Sequence, residues 1–191
     1  MRVPYTLFRY LLLGTVVLAP TAALADNPRH FLQQALEGDN SEIMLGRMAD
    51  HRARNPAVRD FGRTLVRDHS DARDDVIRVG RRMGVWPSRR PSQDAREEQD
   101  RLSRMSGREF DREFVRYMVE DHRKDISDFS DEAREHHGPV SDLAGRQLPT
   151  LQKHLDIAMG LDRMDDRRAD RDGDHGRFGD RDYHGGDRRD R

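Results

Sequence analysis

The stretch "LVRDHSDA", Leu65–Ala72, is echoed 53 residues later by "MVEDHRKD", Met118–Asp125, and each copy carries an Asp-His pair. In both, the histidine stands where a helix would place an apolar residue. Reading outward from His69 at helical spacing gives Val58, Phe61, Leu65, Ala72, Val76, Val79 and Met83; outward from His122 it gives Phe110, Phe114, Met118, Phe129 and Ala133. Apolar residues recurring every three or four positions mark one buried helical face, and no strand-like alternation interrupts Asp26–Leu161, so the fold class is all-α. A histidine on such a face is an ionisable group held where water does not solvate it, and it needs a reason to be there.

Helix punctuation supplies the rest of the frame. Asn27-Pro28 and Asn55-Pro56 are each a capping residue followed by a proline in the first turn. They open a first helix running to about Arg54, with Phe31, Ala35, Gly38, Glu42, Leu45 and Ala49 on its inner face, and a second running to about Met83, stopped by Gly84. Ser106-Gly107-Arg108-Glu109 reads as a capping box opening a third helix to about His136. A fourth begins near Pro139 and carries Val140, Ala144, Leu148, Leu151, Leu155 and Ala158, with Pro149 predicting a kink or a break inside it.

The turns after the first and third helices are short, which makes each of those pairs antiparallel neighbours. The second and third are joined by about 24 residues, "GVWPSRRPSQDAREEQDRLSRMSG", enough to return along a helix of about 42 Å. Within it, Gln93–Met105 is expected to form a short surface helix docking Leu102 and Met105. The expected architecture is a ferritin-like four-helix bundle with a long crossover between helices 2 and 3; an up-and-down bundle with an ordered excursion is the alternative.

The chain ends read differently. Met1–Ala25 has Arg2 and Arg9, the apolar run "LLLGTVVLA" and a small-residue exit before Asp26, the pattern of a signal peptide of an exported, periplasmic protein; the run is short for a membrane span. Its removal moves the formal charge from −1 to −3, which argues against nucleic acid as a partner. The absence of cysteine excludes disulfides and thiolate metal sites. Residues 162–191 alternate Asp and Arg with Gly and almost nothing apolar, so they are expected to form a disordered, solvated tail in which His175 and His184 are ordinary.

Glu42, His69, His122 and, on the fourth helix, His154 put one ionisable group on each inner face, all near mid-helix. Four such groups at one height of a narrow bundle should meet. One carboxylate and three imidazoles can hold one divalent metal ion, Fe, Mn, Zn or Cu. Asp68 and Asp121 directly precede two of the histidines, so they point about 100° away and suit a role holding a histidine tautomer from outside. The competing reading is a self-satisfied Glu-His polar core that only sets helix register. His30, His51, His136 and His137 lie at helix ends and read as surface residues.

The blocks "EIMLGRMA", "NPAVRDFGRTLVRDHSDA", "LSRMSGREFDREFVRYMVEDH" and "LPTLQKHLDIA", in this order, resemble the domain of unknown function 4142 family. The resemblance covers roughly Arg29–Leu161. It implies an exported bacterial protein, periplasmic or outer-membrane associated, with a ferritin-like fold and no established reaction. Motif positions of that family correspond to Glu42, Asp68-His69, Phe110-Asp111, Asp121-His122, Leu148-Pro149 and His154 in this chain. Di-iron ferritin-like proteins use Glu-x-x-His on two helices, whereas Val66, Val119 and Leu151 stand three before the histidines here, so a single ion is favoured over an oxo-bridged pair. The functions in competition are a metal-binding protein of metal handling or envelope stress, a non-enzymatic bundle that binds an envelope protein partner, and a metal-dependent oxidoreductase.

Overall fold

The computed structural model describes residues 27–135 and 137–175. The expected signal peptide, His136 and the tail beyond His175 lie outside the described residues. Among the described residues the chain forms helices and no strand: α1 (Pro28–Arg52), α2 (Pro56–Arg82), α3 (Gln93–Ser103), α4 (Gly107–Glu135) and α5 (Pro139–His175). The caps are those the sequence announces. Asn27 Oδ1 accepts from the Arg29 N–H and Asn55 Oδ1 from the Ala57 N–H, both at 3.0 Å, and Gly84 follows α2 with φ of 74°.

The bundle's order follows from its contacts. α1 packs on α2, α4 on α5, α2 on α5 and α1 on α4. Asp111, in the first turn of α4, accepts from the backbone N–H groups of Arg54 and Asn55 at 2.9 and 2.8 Å, so α4 starts where α1 ends and α2 begins. Late in α4, Phe129 meets the ring of Phe31 near the start of α1, edge to face at 4.9 Å. α4 is therefore antiparallel to α1, and the connection from α2 returns the length of the bundle. Along that path Asn40 Nδ2 donates to the Ser88 carbonyl at 2.9 Å, the Ser92 N–H to Ser41 Oγ at 3.0 Å, and Arg52 to the carbonyls of Ser103 and Met105 at 3.0 and 2.9 Å. Leu102 of α3 is fully buried and Met105 packs against the core, as the sequence reading expects.

Two expectations about α5 meet a different structure. Pro149 lies exposed inside one continuous helix, so of the expected kink or break the break does not occur. The helix also runs past Leu161 to His175, into the stretch read from sequence as tail. Asp165 is held there by α4: its Oδ2 accepts from Arg112 Nε at 3.0 Å, and its Oδ1 lies 3.6 Å from Arg108 Nη2.

The apolar core is divided. One cluster is built around Leu45, Phe61, Leu65, Phe110, Phe114 and Met118, the other around Leu32, Leu36, Val76, Phe129, Leu143 and Leu151. Each such side chain fully buried contributes about 1.5–3 kcal/mol. Between the clusters, where the same helices pass mid-length, the buried residues are Asp39, Glu42, His69, His122 and His154. A polar layer crosses the bundle.

Candidate metal centre

The layer is assembled by helical register. His69 lies one turn beyond Leu65 on α2, His122 one turn beyond Met118 on α4, and His154 between Leu151 and Leu155 on α5. The three ring centroids form a triangle with sides of 5.2, 5.3 and 5.9 Å, and the rings are 4 % exposed or less. One nitrogen from each ring falls within 4.8 Å of the other two.

The hydrogen bonds decide which nitrogens those are. His122 Nδ1 lies 2.9 Å from the Met118 carbonyl oxygen, which can only accept, so the proton is on Nδ1 and Nε2 carries a lone pair. His154 Nε2 lies 3.0 Å from Asp68 Oδ2. Partial burial raises the Asp68 carboxyl, but hydrogen bonds from His154 and Arg67 outweigh it and hold the group below its usual range. Asp68 is thus an acceptor, and the lone pair of His154 is on Nδ1. These two lone pairs face each other at 3.3 Å with no proton between them. Two donors each about 2.0–2.1 Å from a tetrahedral ion stand about 3.3–3.4 Å apart, so the spacing is that of a zinc coordination edge.

His69 completes the set. Its Nδ1 lies 3.0 Å from Asp39 Oδ1, while its Nε2 is buried without a hydrogen-bond partner. Burial pushes the Asp39 carboxyl well above its usual range, with Arg73 opposing. A cation at Nε2 favours the arrangement in which Nδ1–H donates to an ionised Asp39. Burial lowers all three imidazoles, His69 and His154 to about 4 and His122 to about 3. They are neutral at pH 7, the form that ligates metal.

The sequence-derived site residues therefore separate into two groups. His69, His122 and His154 converge, and Asp68 orients His154 from outside. Glu42 is on the other edge of His122, its Oε1 3.8 Å from Nδ1, and it gathers with Asp121 and His122 rather than with the other two imidazoles. Among the described residues the ring nitrogens of His69, His122 and His154 are engaged by Asp39, the Met118 carbonyl and Asp68, and Asp121 lies instead beside Glu42. Asp39, absent from the sequence-derived set, holds His69; its signal was a position three residues before Glu42, on the same face of α1. Beside His69 lies a cavity of about 700 Å³ whose lining includes Asp39, Asp68, Asp71, Asp121 and Asp125, and acidic groups there outnumber basic ones. Such a field concentrates cations at the layer.

The family model described as a domain of unknown function, DUF4142, matches residues 15–161. The chain belongs to the DUF4142 family. The match spans α1 to α4 and the part of α5 that carries His154, so every polar-layer residue of this DUF4142 chain lies inside it. No curated protein and no solved structure matches it.

Proposed function

We propose that the protein binds one divalent transition-metal ion through His69 Nε2, His122 Nε2 and His154 Nδ1, and acts in metal handling in the cell envelope. The observation that carries this reading is that the outer nitrogen of each ring is engaged, by Asp39, the Met118 carbonyl or Asp68, while the three remaining nitrogens, that of His69 without a partner, converge in a buried space. Without an ion the lone pairs of His122 Nε2 and His154 Nδ1 repel each other and His69 Nε2 stays unsatisfied, at a cost of about 1–3 kcal/mol for such a group. Three neutral imidazoles suit Zn²⁺, Cu²⁺ or Fe²⁺ better than Mn²⁺. Asp68 and Asp39 offset the ion's charge. The composition of Met1–Ala25 supports export to the periplasm, and among the described residues no helix is long and apolar enough to cross a membrane.

The test is metal loading of the purified protein with Fe, Mn, Zn and Cu in turn, read by mass spectrometry, beside His69→Ala, His122→Ala and His154→Ala. One equivalent of one metal in the wild type, lost in each variant while the helical circular dichroism is kept, is the expected result. No bound metal in the wild type, with melting temperatures lowered in the variants, would assign the layer to helix register instead.

A further inference from the structure

The imidazole set leaves the other half of the polar layer unexplained. Glu42 is 0 % exposed, and no N–H or hydroxyl group donates to either of its carboxylate oxygens. The group that comes to meet it is another acid. Glu42, Asp121 and His122 each place a potential ligand atom within 4.8 Å of the other two. His122 turns its Nδ1 edge toward Glu42, at 3.8 Å, but that proton is already given to the Met118 carbonyl at 2.9 Å. Asp125, one turn beyond Asp121, and Asp39, one turn before Glu42, add further negative charge; the neighbouring Lys124 is turned to Asp128 at 2.8 Å. Two carboxylates facing each other, one fully buried and one half-buried, require something positive between them, a shared proton or a cation.

We propose that Glu42 and Asp121 bind a second, oxygen-preferring divalent cation, of the Mn²⁺ or Mg²⁺ class, next to the imidazole site and separated from it by the ring of His122. Such ions are held by one or two carboxylates and keep several of their waters. The fold provides for both. Glu42 supplies a fully buried carboxylate from the α1 side, while Asp121 and Asp125 line the cavity of about 700 Å³, which has room for the remaining waters. The two positions differ in donor chemistry, nitrogen on one edge of His122 and oxygen on the other, so they select different metals.

The second position stands on Glu42 and Asp121 and does not require the imidazole reading. To test it, the purified full chain is stripped with chelator, given one equivalent of Zn²⁺, and titrated with Mn²⁺, following free Mn²⁺ by electron paramagnetic resonance and both metals by mass spectrometry. One Mn²⁺ per chain is expected beside one Zn²⁺. Glu42→Gln and Asp121→Asn should each weaken Mn²⁺ by at least about tenfold and keep Zn²⁺, whereas His69→Ala should lose Zn²⁺ and keep Mn²⁺. Mn²⁺ binding unchanged in both carboxylate variants overturns the proposal. One metal in total, lost in Glu42→Gln and in His69→Ala alike, also overturns it and returns Glu42 to the imidazole site. Mn²⁺ bound through Glu42 with no Zn²⁺ anywhere supports the second position and removes the imidazole one.

Discussion

His122 sits against two other imidazoles, and its pKa of about 3 follows from burial first and from His69 and His154 next. With His69 and His154 at about 4, all three rings keep their lone pairs free under mildly acidic conditions. An exposed imidazole begins to lose affinity for metal as the ring charges below about pH 6.5. Zinc held by this set is expected to survive to about pH 5 and to be released only as the pH falls through about 4. Chelator competition across the pH range measures this, and a release midpoint near 6.5 would contradict it. In the metal-free protein the same groups act on stability. Their folded pKa values lie below the unfolded one, so the stability they contribute is full above about pH 6.5 and is lost as the pH drops toward 4. Glu42 has the opposite sign: its folded pKa is raised, so its cost is absent below the unfolded value and grows as the pH rises. Glu42→Gln should therefore stabilise the metal-free protein more at pH 8 than at pH 5 in urea melts, and an equal gain at both would refute the assignment.

At the scale of elements, the layer depends on how closely α1 and α2 approach. A Cβ at Gly62 would stand 2.6 Å from the Gly46 carbonyl oxygen and 3.0 Å from Ala49 Cβ, and one at Gly46 would stand 2.8 Å from the Gly62 carbonyl oxygen. The two backbones touch, and the approach sets Asp39 within reach of His69 further along the pair. Alanine is the better helix former by about 1 kcal/mol, yet Gly62→Ala must push the helices apart, and overpacking of this kind costs about 1–3 kcal/mol. A net loss, seen as a melting temperature lower by several degrees, is expected. A second clamp is Asp111, which holds the Arg54 and Asn55 N–H groups. Asp111→Ala removes both acceptors and should cost about 2–3 kcal/mol, while Asp111→Asn, which keeps one acceptor oxygen, should cost less; urea denaturation ranks them.

The whole molecule is a bundle whose core is interrupted at mid-height. A continuous apolar core would be expected to be more stable than one that buries several ionisable groups, and the shortfall is recovered when an ion binds the folded state alone. Metal at one hundred times its dissociation constant stabilises by about 2.7 kcal/mol, so Zn²⁺ should raise the melting temperature by several degrees and chelator should reverse it. A melting temperature indifferent to metal would mean that the layer is not a binding site.

Much of this was legible in the residues, because its causes are local. The helical period, the Asn-Pro caps, Gly84 and the length of the connection from Met83 to Ser106 depend on neighbours in the chain, and they determine the helices, the all-α class and the return path. Register follows from the same period, so the shared height of Glu42, His69, His122 and His154 was determined as well. The length of α5 was not, since Asp162–His175 reads as solvated until Arg108 and Arg112 of α4 are placed beside Asp165. The division of the layer was also left to the tertiary structure. Which nitrogen of each ring points inward depends on where Asp39, Asp68 and the Met118 carbonyl stand, and those positions are set by helix spacing and side-chain rotamers. A sequence places ionisable groups at one level; only packing decides that three imidazoles face one another while Glu42 turns to Asp121.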